Sequence, residues 1–451
     1  MKDMMVQAIK EKSLYRAGFE ESLRRAKGSV PSWVERVRES AFERFEDLGF
    51  PTTDEEDWKY TNVAPIARTP FEPARAESLS GIDAKQVEPF LYGEASRSRM
   101  VFVNGHFRAE LSSLEALPEG VLAMDLGAAL DGEHAALVRE PLARSTYFNR
   151  DAFAALNTAF LAGGGFLYVP KGVRLDEPLH MLFLSDATEE TNISAFPRVL
   201  VIAERGSSAT VIESYAATSE EAVYLTNSVA EVYLAEDARL VHYKVQREGA
   251  RAFHVASTHA ELSRASSYDL TTITLGAELS RHNVAVRFNE EGAECWVDGL
   301  YLVGTGQHAD THSLIEHRRP HCTSHQNYKG ILDGKSRAVF NGRVYVHREA
   351  PQTDAVQSNK NLLLSDEARV DTKPQLEIYN DDVKCAHGAT VGQLEEEELF
   401  YLISRGLHPE LARNLLTYGF AEEIVEKIRI ESIKAQLDEA ILGRLHARLE
   451  V

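Results

Sequence analysis

The sequence predicts a mainly β protein whose core is a β-solenoid, with helical regions at both ends. Between Gly165 and Ile378 the apolar runs last only about four to six residues, the length of single strands. Small polar corners separate these runs, and several corners recur after about 27 to 30 residues, as solenoid repeats do. Helical patterns of about 10 to 15 residues between the strands would indicate a doubly wound fold, and the segment lacks them. These spacings leave a β-sandwich as the alternative.

The repeat is read from corners rich in glycine, serine, alanine and acidic residues. In chain order the corners are Gly206–Ala209, Glu236–Ala238, Ala265–Ser267, Glu291–Ala293, Gly334–Ala338 and Asp366–Ala368. The interval between Ala293 and Ala338 is longer than the others. The repeat is therefore expected to be irregular at that point.

Residues 1–165 are predicted to form an N-terminal helical and mixed α/β region. Apolar residues recur every third or fourth position in about the first 50 residues, as in amphipathic helices. Arg99–His106 has the pattern of a strand that ends in an Asn-Gly hairpin turn. A further amphipathic helix begins near Phe148 and is expected to end at Gly163–Gly165. The solenoid core is then placed at residues 166–390.

Residues 391–451 are predicted to form a C-terminal helical domain. An apolar stripe that includes Leu399 and Ile403 marks its first helix, and Pro409 suits the first position of the next. A final helix is expected from Glu422 to about Leu449. Such stripes belong either to the core or to a docking surface for another protein, and the sequence leaves both open.

Composition indicates a protein of the reducing cytoplasm. The 451-residue chain carries a net charge of -20, which disfavours nucleic acid and anionic membranes as partners. Its three cysteines, Cys295, Cys322 and Cys385, are too few for a disulfide framework. We expect Cys295 to be buried and Cys322 to be more exposed. We find no signal-peptide pattern and no run of about 18 apolar residues, so we expect neither export nor membrane insertion.

Cys385 and His387 form the main candidate metal site. If this stretch is extended, the two side chains share one face, with their α-carbons about 6.6 Å apart. A thiolate with an imidazole suits zinc, ferrous iron or copper rather than calcium or magnesium. Because such metals and iron-sulfur clusters normally take about four ligands, the others must come from elsewhere in the fold or from a second subunit.

A histidine-rich segment is a second candidate site. Its histidines are His308, His312, His317, His321 and His325, with His347 further along. His308, Asp310 and His312 would share one face of a strand, a geometry that could bind a metal. Because Arg318–Pro320 interrupts any regular spacing, we expect structural or solvent-facing histidines. A metal or sulfur route that feeds the Cys-x-His pair is the alternative.

Four stretches of sequence resemble the SufB/SufD family of iron-sulfur cluster assembly scaffolds. They are EEDWKYT at 55–61, QSNKNLLLSDEARVDTKPQLEI at 357–378, DDVKCAHGATVGQL at 381–394 and LFYLISRG at 399–406. The resemblance covers most of the chain and is densest from Val339 to Gly406. It favours the SufD branch, because SufB has a glutamate-flanked histidine in place of Cys-Ala-His-Gly and a cysteine near the position of Asn359.

The resemblance implies a right-handed parallel β-helix flanked by helical domains. It implies that His387 is a ligand of iron or of a nascent cluster and that Cys385 is an auxiliary one. The expected partners are a SufB-like subunit, which supplies the sulfur-bearing cysteine and pairs through the β-helix edge near residues 340–390, and a SufC-like ATPase on the C-terminal helices. Reduced flavin could be present in such a complex. We expect no cofactor in the isolated chain, which could form a homodimer.

The residues indicate a scaffold rather than an enzyme. The chain lacks a phosphate-binding Gly-rich loop that ends in Lys-Ser or Lys-Thr, so ATP hydrolysis is assigned to another subunit. The alternative function is a β-helix polysaccharide lyase or hydrolase, which would need paired acids or a basic residue in a groove along the solenoid. Asp381 and Asp382 are the only suggestive pair, but neighbours on one strand face opposite ways.

Overall fold

Two long sheets face each other and form a β-solenoid of about seven turns in a computed structural model of the chain. The structure describes residues 15–28, 30–75, 81–144, 147–187 and 192–444. In these ranges each sheet has 11 strands, and every turn of the solenoid contributes one strand to each sheet.

The strands of the first sheet, sheet A, carry mostly odd numbers. They are β1 Glu72–Pro73, β5 Leu122–Asp125, β6 Gly164–Val169, β8 Ile193–Ala195, β9 Arg198–Ala203, β11 Tyr224–Leu234, β13 Phe253–Leu262, β15 Leu279–Phe288, β17 His308–His317, β19 Arg337–Val346 and β21 Arg369–Ile378. The strands of sheet B are β2 Ser98–Val103, β3 His106–Phe107, β4 Ser113–Leu114, β7 Leu179–Ser185, β10 Ser208–Ala217, β12 Arg239–Glu248, β14 Ser267–Gly276, β16 Glu294–Val303, β18 Thr323–Leu332, β20 Thr353–Leu363 and β22 Val383–Gly392.

Helices precede and follow the solenoid. The described part of α1 covers 15–26, and the helices after it are α2 Ser32–Leu48, α3 Ala64–Arg68, α4 Ala84–Val87, α5 Leu126–Ala129, α6 Ala135–Arg144, α7 Ala152–Ala159, α8 Glu396–Ser404, α9 Pro409–Val425 and α10 Glu431–Arg444. The mainly β solenoid with helical ends is therefore confirmed. The domain limits 1–165, 166–390 and 391–451 stay a prediction.

Parallel pairing in register builds the solenoid. From β9 to β22 the strands within each sheet pair in parallel, so a β-sandwich of antiparallel strands is excluded. The shortest repeat separates Phe253 from Leu279, 26 residues later, and the longest of the later turns separates Arg337 from Arg369, 32 residues later. Each turn thus adds one pair of strands to the stack.

Small buried side chains line one corner of the solenoid. They form a row, one residue per turn, made of Ser207, Ala238, Ser266, Ala293, Cys322 and Thr353. Cys322 is fully buried, so the expectation that it is more exposed was wrong. The long interval after Ala293 arises because Cys322 occupies the alanine position of the next turn, whereas Ala338 belongs to the opposite corner, at the start of β19. The repeat itself continues without a break.

The N-terminal region joins the solenoid through both sheets. The predicted hairpin is present, because β2 pairs antiparallel with β3 across a turn in which Asn104 and Gly105 both have positive φ. The helix expected to stop at Gly163–Gly165 ends earlier, at Ala159, and Gly164 instead opens β6. A β-carbon at Gly164 would overlap the carbonyl oxygen of Arg198 on the neighbouring strand. This glycine therefore permits close approach of two strands.

The end of α9 and α10 cover the outer face of sheet B. Ile424, Ile428 and Leu437 are buried there against strand residues such as Ile273 and Leu300. The single final helix expected from Glu422 was wrong, because the chain leaves α9 after Val425 and starts α10 at Glu431; the predicted end near Leu449 lies outside the described residues. The apolar residues at the end of α9 and in α10 therefore belong to the core and not to an exposed docking surface.

A charged network lies inside the solenoid between β10 and β12. The buried Glu213 carboxylate accepts hydrogen bonds from the Lys244 ammonium at 3.0 Å and from the Tyr215 hydroxyl at 2.6 Å, and it lies 2.9 Å from His242 Nε2. Burial alone would raise the pKa of Glu213, but Lys244 and His242 outweigh it and hold the pKa well below its usual value. Glu213 is therefore ionised and depends on these partners.

We expect Lys244→Met to lower the free energy of unfolding by about 3 kcal/mol, because it removes one partner of a buried charge. The matched control is Lys360→Met, since Lys360 lies 3.9 Å from Glu423 and both side chains are about half exposed. The control should change stability by less than about 0.5 kcal/mol. Urea unfolding followed by circular dichroism compares the two variants, and equal losses would contradict the role of the buried pair.

Candidate functional site

Cys385 and His387 lie on β22, the last strand of sheet B. They are in register with Ala355 and Gln357 of β20, whose side chains are buried inside the solenoid. Because side chains in register on parallel strands share a face, Cys385 and His387 belong to the interior-facing row of the last turn. The predicted placement on one face at the end of the sheet is present.

The two candidate ligands differ in their surroundings. The Cys385 side chain is half-buried against an apolar group that includes Val344, Val346 and Ala355, whereas His387 is exposed. Burial, with the nearby carboxylate of Asp354, raises the pKa of the Cys385 thiol. A metal must therefore displace a proton from Cys385, while the imidazole of His387 is open to approach.

The pair alone does not complete a metal site. In the ranges that the structure describes, no three histidine, cysteine, aspartate or glutamate side chains lie close enough to hold one metal ion. A tetrahedral metal held at Cys385 and His387 would need further ligands from another molecule. The ligand roles of the two residues stay a prediction.

The strands β21 and β22 form the open end of the solenoid. Each is the last strand of its sheet, so one edge of its backbone has no strand beside it in the described chain. Ile378 at the end of β21 and Val391 near the end of β22 are 37% and 47% exposed. Unpaired edges with exposed apolar side chains are typical of a surface that pairs with another chain.

The segment after β22 forms a second apolar surface. We call it the α8 surface, and its residues are Phe400, Tyr401, Ile403, Leu411 and Leu415. Phe400 is 73% exposed, and no residue of α8 is buried. The apolar stripes of the C-terminal region therefore divide into two groups, since those at the end of α9 and in α10 are core and those of α8 and the start of α9 face solvent.

Part of the histidine-rich segment contacts the N-terminal region. His308, Asp310 and His312 share the outer face of β17 as predicted. Asp310 accepts hydrogen bonds from Thr61 at 2.5 Å and from Arg281 at 2.6 Å. Burial alone would raise the pKa of Asp310, but Arg281 and His312 outweigh it and hold the pKa far below its usual value. Asp310 is thus a buried anion that anchors Thr61.

The Glu-Glu-Asp-Trp-Lys-Tyr-Thr motif at 55–61 supplies the other half of this contact. Trp58 is nearly buried, and the Arg281 guanidinium lies 4.0 Å from the centre of its ring. Trp58 also packs on Phe153 of α7. The motif therefore fixes the N-terminal region to the outer face of sheet A.

The other histidines are scattered around the last turns. His317 lies inside the solenoid, stacked on Phe288 and 2.9 Å from the Ser324 hydroxyl, while His325 stacks on Trp296 on the outer face of β18. His347 lies 2.8 Å from Glu316, and His321 occupies a corner with positive φ. This dispersal favours the structural interpretation, since the six rings do not converge on one point.

Three amide side chains under the Cys-x-His pair escaped the sequence analysis. Gln357, Asn359 and Asn361 of β20 face the interior and are almost fully buried. Asn361 donates to Asn359, which also accepts from Thr372 of β21 at 2.8 Å. Their alternation in Gln-Ser-Asn-Lys-Asn was the signal that they share one face. Asn359, the position compared with a SufB cysteine, is therefore interior and hydrogen-bonded.

The acidic pair considered for glycan chemistry lies in a bend and not on a strand. Asp381 and Asp382 lie in an exposed bend before β22, and the backbone carbonyl of Asp382 accepts a hydrogen bond from Gln352. Cys295, in contrast, is fully buried, as expected, and burial raises the pKa of its thiol. No helix within the described ranges is long and apolar enough to cross a membrane.

We expect His317→Gln to change the pH dependence of stability. Burial lowers the pKa of His317 to about 3, against about 6.5 in an unfolded chain. The unfolded chain therefore binds more protons, and His317 lowers stability as the pH falls below about 6.5. The free energy of unfolding of the native protein, minus that of the variant, should fall by about 2 kcal/mol between pH 7 and pH 5, as measured by urea unfolding. Parallel pH curves would contradict the buried neutral state.

Comparison with known proteins identifies the family. Residues 183–420 match the family model described as SUF system FeS cluster assembly, SufBD core domain, and residues 9–181 match the SufBD protein N-terminal region. An iron-sulfur cluster assembly SufBD family protein of Synechocystis is 36% identical over 98% of this chain and 95% of its own length. The iron-sulfur cluster assembly protein SufD of Escherichia coli is 32% identical over 89% and 90%, and SufD of Bacillus subtilis is 28% identical over 91% and 94%. The chain therefore belongs to the SufBD family of the SUF system for iron-sulfur cluster assembly.

Proposed function

We propose that the chain is a non-catalytic scaffold subunit on which a nascent iron-sulfur cluster is built and then handed on. The observation that carries this proposal is the exposed His387 beside Cys385 on the last, uncovered strand of the solenoid. A SufB-like subunit would pair with the open end and supply the remaining ligands and the sulfur-bearing cysteine. The cluster is cargo here and not a resident cofactor.

An incomplete ligand set suits transient binding. Four ligands from one rigid chain would hold a cluster tightly, whereas ligands divided between two subunits are lost when the subunits separate. His387 is the stronger candidate ligand because its imidazole is exposed, whereas the Cys385 thiol is half-buried against an apolar group. Cys385 then assists at the same face of β22.

The α8 surface is the proposed site for a SufC-like ATPase. Its aromatic side chains, Phe400 and Tyr401, are exposed, whereas Tyr418 and Phe420 at the end of α9 are partly buried, so the α8 surface has apolar area to offer a partner. The chain has no phosphate-binding loop of its own. ATP-driven movement of a partner at α8 would then reach the cluster site through β22, which directly precedes this helix.

A partner subunit and a second copy of this chain compete for the open end. Both would add a strand edge to β21 or β22 and cover the exposed ends of these strands. Only a different subunit brings ligands that this chain lacks. We therefore propose the SufB-like heterodimer as the working state and the homodimer as a state of the isolated chain.

We expect His387→Ala to abolish cluster assembly in a complex co-expressed with a SufB-like and a SufC-like protein. Cys385→Ala should retain part of the activity, since the half-buried thiol is proposed as the auxiliary ligand. Iron and sulfide content after anaerobic purification measures both effects. Because His387 is exposed and its side chain is not packed, the variant should fold and assemble normally.

The matched control is His325→Ala, on the outer face of the same sheet. It should leave iron and sulfide content unchanged. A His387→Ala complex with the full iron and sulfide content of the native complex would refute the assigned ligand and the function built on it.

We expect Phe400→Glu to weaken binding of the ATPase by at least about 10-fold, because a buried charge replaces apolar contact area. A deletion after Arg405 should also abolish binding of the ATPase. Because it removes α9 and α10 and uncovers the sheet B residues beneath them, its effect could not be assigned to the α8 surface. Isothermal titration with the purified ATPase measures the affinity. The control Leu48→Glu changes an exposed apolar residue of α2 and should bind normally; unchanged binding by Phe400→Glu would exclude the α8 surface.

A further inference from the structure

We propose that Gln357 is a positioning residue for His387, and that its side-chain oxygen accepts the ring N–H that His387 does not use for iron. This inference rests on the proposed function, because it concerns how His387 presents a nitrogen to the cluster. It assigns a role to a buried amide one strand below the site.

The register of the last two strands of sheet B places Gln357 next to His387. The two residues are Cα partners in the parallel pairing of β20 with β22. Neighbouring strands are about 4.8 Å apart, and side chains in register point to the same face. Gln357 is only 1% exposed, so it lies directly inside the row that ends in the exposed imidazole.

The Gln357 amide is hydrogen-bonded at its nitrogen end and not at its oxygen end. Its Nε2 donates to Gln326 Oε1 at 2.9 Å, and the Ser313 hydroxyl donates to the same oxygen at 3.0 Å. In this arrangement the nitrogen end of the Gln357 amide is the bonded end, and Gln326 Nε2 is a second buried polar atom without a hydrogen-bond partner among the described residues. Gln357 Oε1 is buried and accepts no hydrogen bond from any described residue.

The free oxygen carries an energetic cost. A buried acceptor without a donor costs about 1 to 3 kcal/mol, so such atoms in folded proteins call for an explanation. A ring N–H from the adjacent His387 would satisfy it. The cost in the isolated chain is then recovered when a partner covers the open end and holds the ring against β20.

A glycine makes room for this amide. A β-carbon at Gly342 of β19 would lie 2.3 Å from Gln357 Nε2, so any larger residue would displace the side chain. Gly342 belongs to the interior-facing row of sheet A, opposite the amide. The Gln357 side chain is thus held by its hydrogen bond to Gln326 and by its close packing on Gly342.

The chemistry of histidine ligands explains why such an acceptor matters. An imidazole that binds a metal through one nitrogen almost always donates its other N–H to an oxygen, which fixes the tautomer and the ring orientation. Gln357 Oε1 supplies that oxygen from the chain itself. Cys385 has Ala355 as its neighbour in register, which offers no polar side chain. Of the two candidate ligands, His387 is therefore the one with a neighbouring side chain that can orient it.

The test uses the full complex with SufB-like and SufC-like partners and three variants. Gln357→Met keeps the length of the side chain but removes the acceptor, whereas Gln357→Glu keeps an oxygen and strengthens it. Ser313→Ala is the control, because it removes a buried hydrogen bond from the same chain and leaves Gln357 in place. Two readouts are compared after reconstitution: the rate at which a ferrous chelator removes iron, and the nitrogen hyperfine coupling of the reduced cluster in ¹⁵N-histidine protein.

We expect Gln357→Met to release iron about 10 to 100 times faster and to alter the nitrogen coupling. Gln357→Glu should release iron no faster than the native complex, and Ser313→Ala should match the native complex in both readouts. Native iron release and native coupling in Gln357→Met would overturn the inference, as would faster release from Gln357→Glu. If Gln357→Met does not fold, the rate of iron release from Gln357→Glu decides the question.

The same experiment separates this inference from the proposed function. If His387→Ala loses the cluster while Gln357→Met behaves as native, His387 is a ligand that needs no support from Gln357. If His387→Ala keeps the cluster and the nitrogen coupling, the proposed function itself fails and Gln357 has no ligand to position.

Discussion

The structure depends on in-register parallel pairing of backbone, carried from one turn of the solenoid to the next. The strands of each turn form backbone hydrogen bonds with those of the turn before and leave their other edge unpaired. Backbone pairing alone therefore does not limit the number of turns. In this chain it stops at β21 and β22. His387 and Cys385 lie on one of these two edge strands, so the unpaired backbone and the candidate ligands occur at the same end of the solenoid.

Polar groups inside the solenoid set the register as much as the apolar core does. A slip by one residue would turn Glu213 and Lys244 outward and bring outer-face residues into the interior. The cost of separating these charges protects the alignment of the early turns. In the last turns uncharged amides take over, with Gln326, Gln357 and Asn359 in the row that leads to the open end. An interior of hydrogen-bonded amides tolerates an incomplete end better than one of buried ions.

Much of the fold could be predicted from the sequence, because strand length and corner composition are local signals. The solenoid, the Asn104-Gly105 hairpin and the helical ends are of this kind. The errors concern non-local contacts. Burial of Cys322 depends on the row that it shares with Ala293, one turn away, and the role of Gly164 depends on Arg198. For the site, Cys385 and His387 could be placed on one face, but Gln357 gains meaning only when the register of β20 and β22 is known.

The connection between β22 and α8 is short. Only residues 393–395 separate Gly392, the end of the strand, from Glu396, the start of the helix. Three residues span at most about 10 Å, so a protein held on α8 remains tethered close to the strand that bears His387. Such a short connection gives that protein a high effective concentration near His387 and limits how far it can move away. If that protein moves by more than about 10 Å relative to the solenoid, β22 itself must move with it.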